Sequence, residues 1–513
     1  MAIHNYGHIF MGVDYSTPPH ELHPNALADA SNVLPDASGL PTGRNGSVKL
    51  NSTSLAARIT SVHEFRSGTA TRDILASYST IVGVYNSGTG EFVSKITGLT
   101  SNKMFQWANF AGKAIGVNEG TDAPQYWTDD SNKGDLAGSP PVGRTVTEWS
   151  NRLWFGGDST NVAMLTGSAL NDPTDYATAG AAGYVAQTIG DSKDPITGIF
   201  GFFDLLLVGK RNNIYKVSGA PATDASSLSI EPLYSKSSDN VGFTSPWAIT
   251  QVGNDVIFLD GFDIKRLSGI QEFGDVEYAS IIPHFSDYLK SIADQDYLQY
   301  THFYHYKKKQ QIWVSIPTGA ATRYVFVLDY RFTRETGRYA FYPMGGLTVV
   351  CFGGVENGEV EDIYYGDGTG YAHQLDTGND DNGVAVTRYF VTVVSGNDTT
   401  KDLPVLDRHG YRKQFDDSET FILPGQAALT MTPAYALNLM DSAQVRTSGN
   451  YTNLTAEVVS GWTGTGVKHK RLRFFGLSGN TLALKWTHAT LAQNFTFYPS
   501  EIHYQWKSRN LIV

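Results

Sequence analysis

Short runs of alternating apolar and polar residues, separated by turn residues, recur along most of this chain. The clearest example is AITQVGNDVIFLDGFDIKRLSG, in which the strands Ala248–Val252 and Asp255–Leu259 flank Gly253–Asn254. A third strand, Phe262–Leu267, follows Asp260–Gly261. Both dipeptides tolerate the positive φ angles that two-residue hairpins need. The segment therefore predicts a three-stranded antiparallel meander.

Similar units recur between Val62 and Asp376. The seven, including the one above, average about 45 residues each, which is the length of a four-stranded propeller blade; the other six are 62–86, 104–127, 146–167, 196–219, 301–330 and 347–376. A single meander cannot bury either face alone, but copies packed in a circle hide both. We therefore expect an all-β chain with a β-propeller of six or seven blades, since a terminal unit could form an accessory sheet. Two or three β-sandwich domains, with similar strand spacing, are the alternative.

The pattern divides the chain into an N-terminal extension and docking segment (1–61), the propeller (62–376) and a C-terminal β-domain (377–513). The last begins after the GNDDNG break, and its alternating segments are typical of sandwich strands with one wet face. Two helices are predicted, a short one over Pro24–Ser31 and one within Phe273–Tyr300. Apolar residues recur at helical spacing in the second: Phe285, Tyr288, Leu289, Ile292 and Ala293.

Composition narrows the class of protein. Hydrophobic residues make up 41% and charged residues 17%, which argues against disorder, while 12% aromatics and 52 Gly favour strands and tight turns. The single cysteine, Cys351, excludes an internal disulfide and suits assembly in a reducing cytosol. The first residues lack a basic stretch followed by an apolar core, so no secretory signal is expected. The most apolar run, Ile196–Gly209, is too short to span a bilayer.

The net charge argues against a protein that binds nucleic acid through a basic surface. The formal net charge is −11, and no basic face of the kind that binds phosphates is evident. Two basic clusters occur, Lys307–Lys309 and Lys468–Arg473. We interpret each as a solvated turn or strand face rather than a phosphate site.

Motifs for catalysis or metal binding are missing: no nucleophile elbow, HExxH, CxxC, P-loop or dinucleotide signature occurs. His302 and His305, beside Tyr304, would face opposite sides of a strand and not converge on one ion. The loops 367–370 and Asp376–Gly383 look calcium-like, but Thr387 stands where an EF-hand needs a bidentate acid, and turn chemistry accounts for them. We expect no catalytic, cofactor or metal site.

Two alternative functions stay open. A propeller glycoside hydrolase or depolymerase needs two carboxylates across a pocket; the scattered candidates are Asp260, Asp263 and Asp329, and 238–242 is a near miss to a sialidase Asp-box. A glycan-binding receptor-recognition protein would expose aromatic side chains, although blade packing explains them equally; the candidates are Trp127, Trp149 and Trp247. Five sequons for N-glycosylation occur, and we interpret them as ordinary Thr residues of strands and Asn residues of loops, not as modified sites. They begin at Asn51, Asn397, Asn450, Asn453 and Asn494.

Three stretches, in order along the chain, resemble the tail nozzle (tail hub) proteins of short-tailed bacteriophages. The run GVDYSTPPHELHPNALADASNVLPDASGLPTGRNG is similar to the opening of that family; the matching residues are Gly12, Asp14, Asn32, Val33, Gly39, Leu40, Arg44 and Gly46. The stretch 238–268 resembles a family blade with a Ser-Pro turn, a hairpin and a Phe-Leu strand. The third, VFVLDYRFTRETGRYAFYPMGG followed by IYYGDGTGYAHQLDTGNDDNG, resembles a family blade with an Asp-Tyr pair followed by aromatics, and the family's closing Gly-Asp-x-x-Gly-Tyr and Leu-Asp segment. The C-terminal domain carries no match.

The resemblance implies a non-enzymatic virion protein that forms a ring of identical subunits, expected to be hexameric, below the portal and adaptor rings. Its axial channel would conduct and gate genomic DNA during ejection without sequence-specific binding, and its flanks would hold tail fibre or needle proteins. The protein would be assembled in the host cytoplasm and located in the phage tail, with no membrane-spanning segment. An acidic balance suits such a conduit, because carboxylates repel phosphates within about 8–10 Å at physiological salt.

Overall fold

The fold consists almost entirely of β-strands, as the sequence predicts. The computed structural model describes residues 2–67, 71–219, 227–233, 241–268, 278–357, 360–394, 411–425, 428–464, 466–491 and 493–509. Within them the α-helices are α1 (Ser286–Ile292), α2 (Thr333–Thr336) and α3 (Ser442–Arg446), and 3₁₀ turns cover Pro19–Glu21, Gln295–Tyr300, Lys307–Lys309, Ser448–Asn450 and Thr455–Glu457. None of the helices in these ranges has the length and apolar character needed to cross a bilayer.

Five short strands come first. They are β1 (Ala2–Tyr6), β2 (Asp29–Ser31), β3 (Val33–Pro35), β4 (Pro41–Gly43) and β5 (Ser47–Lys49).

Seven four-stranded antiparallel sheets then follow one another within the described ranges. Blade one contains β6 (Ile59–Ser67), β7 (Thr71–Tyr78), β8 (Ile81–Asn86) and β9 (Glu91–Thr97), and blade two contains β10 (Gln106–Phe110), β11 (Lys113–Val117), β12 (Gln125–Trp127) and β13 (Lys133–Asp135). Blade three contains β14 (Gly143–Trp149), β15 (Arg152–Asp158), β16 (Met164–Gly167) and β17 (Val185–Thr188). Blade four contains β18 (Ile196–Phe202), β19 (Leu205–Lys210), β20 (Ile214–Ser218) and β21 (Ser229–Pro232).

The last three blades complete the ring. Blade five contains β22 (Ile249–Val252), β23 (Asp255–Asp260), β24 (Asp263–Ser268) and β25 (Tyr278–Ser280), and blade six contains β26 (His302–Tyr306), β27 (Gln311–Pro317), β28 (Arg323–Asp329) and β29 (Ala340–Met344). Blade seven contains β30 (Val349–Asn357), β31 (Val360–Asp367) and β32 (Ala372–Leu375), with β5 as its fourth strand. Each of the seven predicted repeat units falls on one blade, so the propeller is confirmed and has seven blades.

Burial of both faces of each sheet holds the ring together. Strand β23 shows this: Val256 and Phe258 pack against blade four, whereas Ile257 and Leu259 point the other way, towards the core shared with blade six. Because successive side chains of a strand face opposite sides, an unbroken apolar run such as VIFL requires a neighbour on each side. Similar clusters join blade one to two, two to three, three to four and seven to one.

The N-terminal chain closes the circle. Strand β5 pairs antiparallel with β32, opposing Ser47 to Leu375 and Lys49 to His373. Blade seven is therefore built from both ends of the propeller sequence, which fastens the ring shut without covalent chemistry. In the predicted domain division β5 belongs to the 1–61 segment, ahead of the propeller proper.

The C-terminal strands form a two-sheet sandwich. They are β33 (Arg388–Val394), β34 (Tyr411–Pro424), β35 (Leu429–Leu437), β36 (Thr452–Asn453), β37 (Val459–Trp462), β38 (Lys468–Arg473), β39 (Ser478–Gly479), β40 (Leu482–His488) and β41 (Phe495–Arg509). One sheet has the order β3-β4-β41-β34-β38, with β1 on β41 and β39 on β34; the other has the order β2-β33-β40-β35-β36, with β37 on β35. Phe390, Trp486 and Phe497 meet between the sheets, with ring centroids 5.0–5.4 Å apart.

The helix predicted over Pro24–Ser31 is wrong. Its residues form a turn, a bridge from Leu27 to Val13, and β2. An isolated eight-residue helix is marginal in water, and here the backbone gains more from pairing with β33 of the sandwich. The second predicted helix is confirmed as α1 followed by a 3₁₀ turn, between blades five and six; residues 273–277 of that prediction lie outside the described ranges.

We predict that closure of the ring is sensitive to one glycine. A Cβ at Gly46 would lie 1.8 Å from the Asp380 carbonyl oxygen. The strand that leads into β5 would then have to shift, so Gly46→Ala should lower the free energy of unfolding by about 2–3 kcal/mol. Gly368→Ala is the matched control, because its Cβ meets nothing within 4 Å. Equal thermal midpoints for the two variants would contradict this account of the closure.

Candidate functional site

Residues 8–46, which we call the strap, lie between blade six and the sandwich. On the propeller side, the Val13 and Asn32 backbone N–H groups donate to the carbonyls of Phe341 and Pro343, at 2.8 and 3.0 Å. On the sandwich side, β2 pairs with β33. The strap therefore hydrogen-bonds to both domains along its backbone, and we call this region the joint.

Asn32 is the polar centre of the joint. It is buried and left-handed, with φ 57°. Its amide nitrogen donates to the Gly345 carbonyl of the propeller (3.0 Å) and the Thr387 carbonyl that leads into the sandwich (2.8 Å). Its amide oxygen accepts from Arg44 Nε at 2.6 Å. One side chain thus ties three segments that are distant in sequence.

Arg44 extends the same network. Its guanidinium is 2% exposed and forms a two-pronged pair with Asp381, whose Oδ1 and Oδ2 lie 3.0 and 2.5 Å from Nη1 and Nη2. Asp381 also accepts from Ser47 Oγ of β5 at 3.0 Å. A buried charge is tolerated only when it is paired and fully hydrogen-bonded, and this pair meets both conditions.

The other residues that carry the sequence resemblance occupy the strap as well. A Cβ on Gly12 would lie 2.5 Å from the Phe341 nitrogen, so only glycine allows this approach to blade six. Asp14 accepts from Arg338 Nη1 at 3.0 Å and caps the turn at Ser16 and Thr17. Val33 and Leu40 are buried. The matching residues therefore hold the joint rather than fill turns at random.

A cavity of about 530 Å³ opens beside the joint, lined by the strap, blade seven and the segment 381–387. On its wall His373 stacks flat on Tyr365, with centroids 4.6 Å apart and 2° between the planes, and its Nε2 lies 3.3 Å from Asp367 Oδ2. Burial favours a higher pKa for Asp367, but hydrogen bonds from His373, Tyr371 and Thr369 outweigh it and lower the pKa to about 2. The calcium-like loop 367–370 is thus a tight turn closed by its own aspartate.

Trp247 crosses the propeller axis. It precedes blade five, yet its Nε1 donates to the Phe105 carbonyl ahead of blade two, at 3.0 Å. Its indole packs with residues of blades one and seven, as does Tyr300. The indole therefore connects the chain entering blade five with blades one and seven and with the chain entering blade two.

A cavity of about 650 Å³ lies above this indole, and we call it the axial cavity. It is lined by blades two to five and by the segment before blade six. Its lining comes from loops between successive blades, from loops between second and third strands, and from the ends of strands, such as Arg144 of β14 and Ile196 of β18. Apolar and charged side chains line the same space.

The carboxylates considered for glycoside hydrolysis do not converge. Asp260 lines the axial cavity but pairs with Lys265 at 2.7 Å. Asp263 accepts from Ser280 Oγ, and Asp329 is buried in blade six against Arg331 and Gln311. Residues 238–240 of the Asp-box-like stretch lie outside the described ranges. The arrangement does not present two free acids across one pocket in the described residues.

His302 and His305 both lie on β26, three residues apart and on opposite faces as predicted. Burial lowers the pKa of His302 to about 4, and His305 Nε2 bonds to the Tyr330 hydroxyl at 2.7 Å. Across the described ranges, no group of three or more His, Cys, Asp or Glu side chains is placed to hold a metal ion. Burial also raises the pKa of the Cys351 thiol to about 12.

The structure also places the remaining candidates from the sequence, which are the basic clusters, two tryptophans and the sequons. Lys307–Lys309 form a 3₁₀ turn in which Lys309 pairs with Asp376, and Lys468–Arg473 are strand β38. Trp127 and Trp149 are buried and donate to Asp73 and to the Phe203 carbonyl. Among the sequons, Asn51 is buried and donates to the Gly370 and Thr53 carbonyls, and Asn494 donates to the Gly43 carbonyl. Asn450 is exposed in a 3₁₀ turn, and Asn453 is an exposed residue of β36. Asn397 lies outside the described residues.

Of the axial residues, sequence reasoning named Trp247 as a candidate aromatic but missed Phe105, Arg144 and Tyr300, although a signal existed. All four stand at or just before the first strand of a blade. Aligning the seven units by their first strands places these residues at one end of the ring. The residues that each of them contacts on the other side of the axis depend on closure of the ring.

Neither a protein-family model nor a curated protein matches the chain. Among solved structures, virginiamycin B lyase from Staphylococcus aureus is similar at 12% identity, with a TM-score of 0.42, over 64% of this chain and 98% of that chain. The WD40 β-propeller domain of Doa1 is similar at 9% identity, with a TM-score of 0.40, over 65% of this chain and 96% of that chain. Likeness at this level carries no argument about function.

We predict that Asp367→Asn destabilises the protein in a pH-dependent way. The folded-state pKa lies below the ordinary value, so this stabilisation is present above about pH 4 and disappears as the pH falls towards 2. At pH 7 the variant should lose about 1–2 kcal/mol, and the difference should shrink by pH 3 in urea titrations. Asp362→Asn is the control, since Asp362 accepts a single bond from Gln374. A loss independent of pH would refute the assignment.

We also predict that Trp247→Ala loosens the whole ring rather than one blade. It should cost about 3–5 kcal/mol and speed hydrogen exchange in the first strands of blades one, two, five and seven. Trp149→Ala is the comparison, because Trp149 packs only in the cluster of blades three and four. Exchange in Trp247→Ala confined to blade five would show that the indole does not brace the axis.

Proposed function

We propose that this chain is a non-enzymatic structural protein of a virion, the tail nozzle or hub subunit of a short-tailed bacteriophage. Identical copies form a ring below the portal and adaptor rings and guide DNA passively during ejection. Tail fibre or needle proteins attach to its flanks. The protein is assembled in the host cytoplasm and acts in the tail.

One observation carries the proposal. The residues that resemble the opening of the nozzle family gather at the joint and build it, through Gly12, Asp14, Asn32 and Arg44. They belong to one architectural feature, a strap that docks a propeller on a sandwich, and each makes a specific contact there.

Rigidity and charge add support. Backbone pairing on both sides of the strap, with a buried ion pair, makes the two domains a stiff unit that suits a load-bearing ring. A net charge of −11 disfavours adhesion of DNA, because acidic surfaces repel phosphates at short range. Passive guidance needs no catalytic group.

The proposal predicts assembly. Native mass spectrometry and negative-stain microscopy at about 0.1 and 10 µM should show a closed ring with an open axial hole, because a heterologous interface that closes yields a ring. A chain that is strictly monomeric at both concentrations would contradict the nozzle function. The Gly368→Ala protein serves as a folded control for sample handling, since that change meets open space.

A further inference from the structure

The axial cavity contains two cations that the fold does not neutralise. Two of its three lining acids are satisfied internally: Glu119 accepts from Lys103 Nζ (3.2 Å) and the Met104 nitrogen (2.8 Å), and Asp260 accepts from Lys265 Nζ and the Gly242 nitrogen. The third, Asp296, is exposed. Arg144 and Arg211 line the same space, are exposed, and form no ion pair within the described residues. They belong to adjacent blades: Arg144 lies in β14 of blade three, and Arg211 follows β19 of blade four.

The stem of Arg144 is seated by two glycines. A Cβ on Gly120 would lie 2.9 Å from Arg144 Cγ, and one on Gly157 would lie 3.6 Å from its Cδ. Both glycines have positive φ angles, 73° and 60°, so the stem runs against backbone that side chains would otherwise cover. The aliphatic stem of Arg144 is therefore packed against the backbone of both glycines, and its side chain lines the cavity.

The backbone at Arg211 is equally constrained. Its carbonyl would lie 2.2 Å from a Cβ on Gly242, so the turn between β19 and β20 packs directly against the chain entering blade five. A guanidinium presents five donors in a planar fork that matches a carboxylate. Two such groups lining one cavity are suited to pair with the carboxylates of an organic acid.

The opposite wall and the floor have different chemistry. Before blade six, Gln295, Asp296 and Gln299 are exposed to the cavity and offer both donors and acceptors. Trp247 and Tyr300, both half-buried, also line the cavity, and we call this part of the lining the aromatic floor. An aromatic platform next to amide and carboxylate groups suits a molecule with a flat apolar face and several hydroxyls.

We propose that the axial cavity binds an acidic oligosaccharide. Sugar carboxylates would pair with Arg144 and Arg211, ring faces would lie on Trp247 and Tyr300, and hydroxyls would bond to Gln295, Asp296 and Gln299. A neutral sugar would leave both arginines unpaired, and an acidic peptide would make poor use of the aromatic floor. The site is separate from the joint, and this inference does not depend on the ring proposed above.

Calorimetric titration of the full chain with α-1,4-linked tetragalacturonate tests the proposal. Two ligand controls separate the contributions: the fully methyl-esterified tetramer removes the charges but keeps the rings, and a blocked tetraglutamate peptide keeps four carboxylates without sugar. Arg144→Gln and Arg211→Gln remove one cation each from exposed positions. Arg473→Gln, at an exposed arginine of β38, is the matched control.

We expect saturable binding of tetragalacturonate, at least about tenfold weaker binding of the ester and of the peptide, and a loss of about tenfold in each cavity variant. Arg473→Gln should bind like the unaltered chain. The proposal fails if no binding occurs up to about 10 mM, if ester and acid bind equally, if the peptide binds as tightly as the sugar, or if the cavity variants match Arg473→Gln. Ring formation is measured in a separate experiment, so failure of the sugar-binding proposal does not decide the nozzle proposal, and failure of the nozzle proposal does not decide sugar binding.

Discussion

Closure of the seven-blade circle is the constraint on which the rest of this structure depends. Every blade has two apolar faces, and each is covered only if the last blade meets the first. Blade seven has only three strands of its own from the propeller sequence, and β5 supplies the fourth. The chain ahead of β5 must therefore run along the outside of the propeller, and this path brings the strap to blade six.

Once the strap lies there, the sandwich follows from it. Strands β1 to β4 are too short to form a stable sheet alone, but the C-terminal strands provide edges for them, and β2 pairs with β33. Arg388 shows how tightly the ends are joined: its fully buried guanidinium donates to the carbonyls of Arg44, Asn379 and Gln493 at 2.7–3.0 Å. Burial, with Arg44 nearby, lowers the pKa of Arg388 to about 10, still well above neutrality. Propeller, strap and sandwich are thus one mechanical unit.

The same circle decides what the propeller can bind. Trp247 and Tyr300, at the chain entering blades five and six, line the axial cavity together with residues of blades two to five. The axial cavity gathers side chains from segments that are remote in sequence, as binding sites on rigid scaffolds commonly do.

Local patterns in the sequence determined the strands, the hairpins at Gly253–Asn254 and Asp260–Gly261, and the seven-fold repetition, because side-chain alternation and turn chemistry act over a few residues. They also predicted α1, whose apolar spacing is helical. They did not determine that 24–31 is turn and strand, that β5 closes blade seven, or that Asn32, Arg44 and Asp381 meet. Those outcomes depend on pairings between residues hundreds of positions apart. These pairings stabilise the fold only once the circle of blades is complete. The axial cavity is of the same kind: Arg144, Trp247 and Arg211 carry no motif, and the packing of blades three, four and five against one another places them around one space.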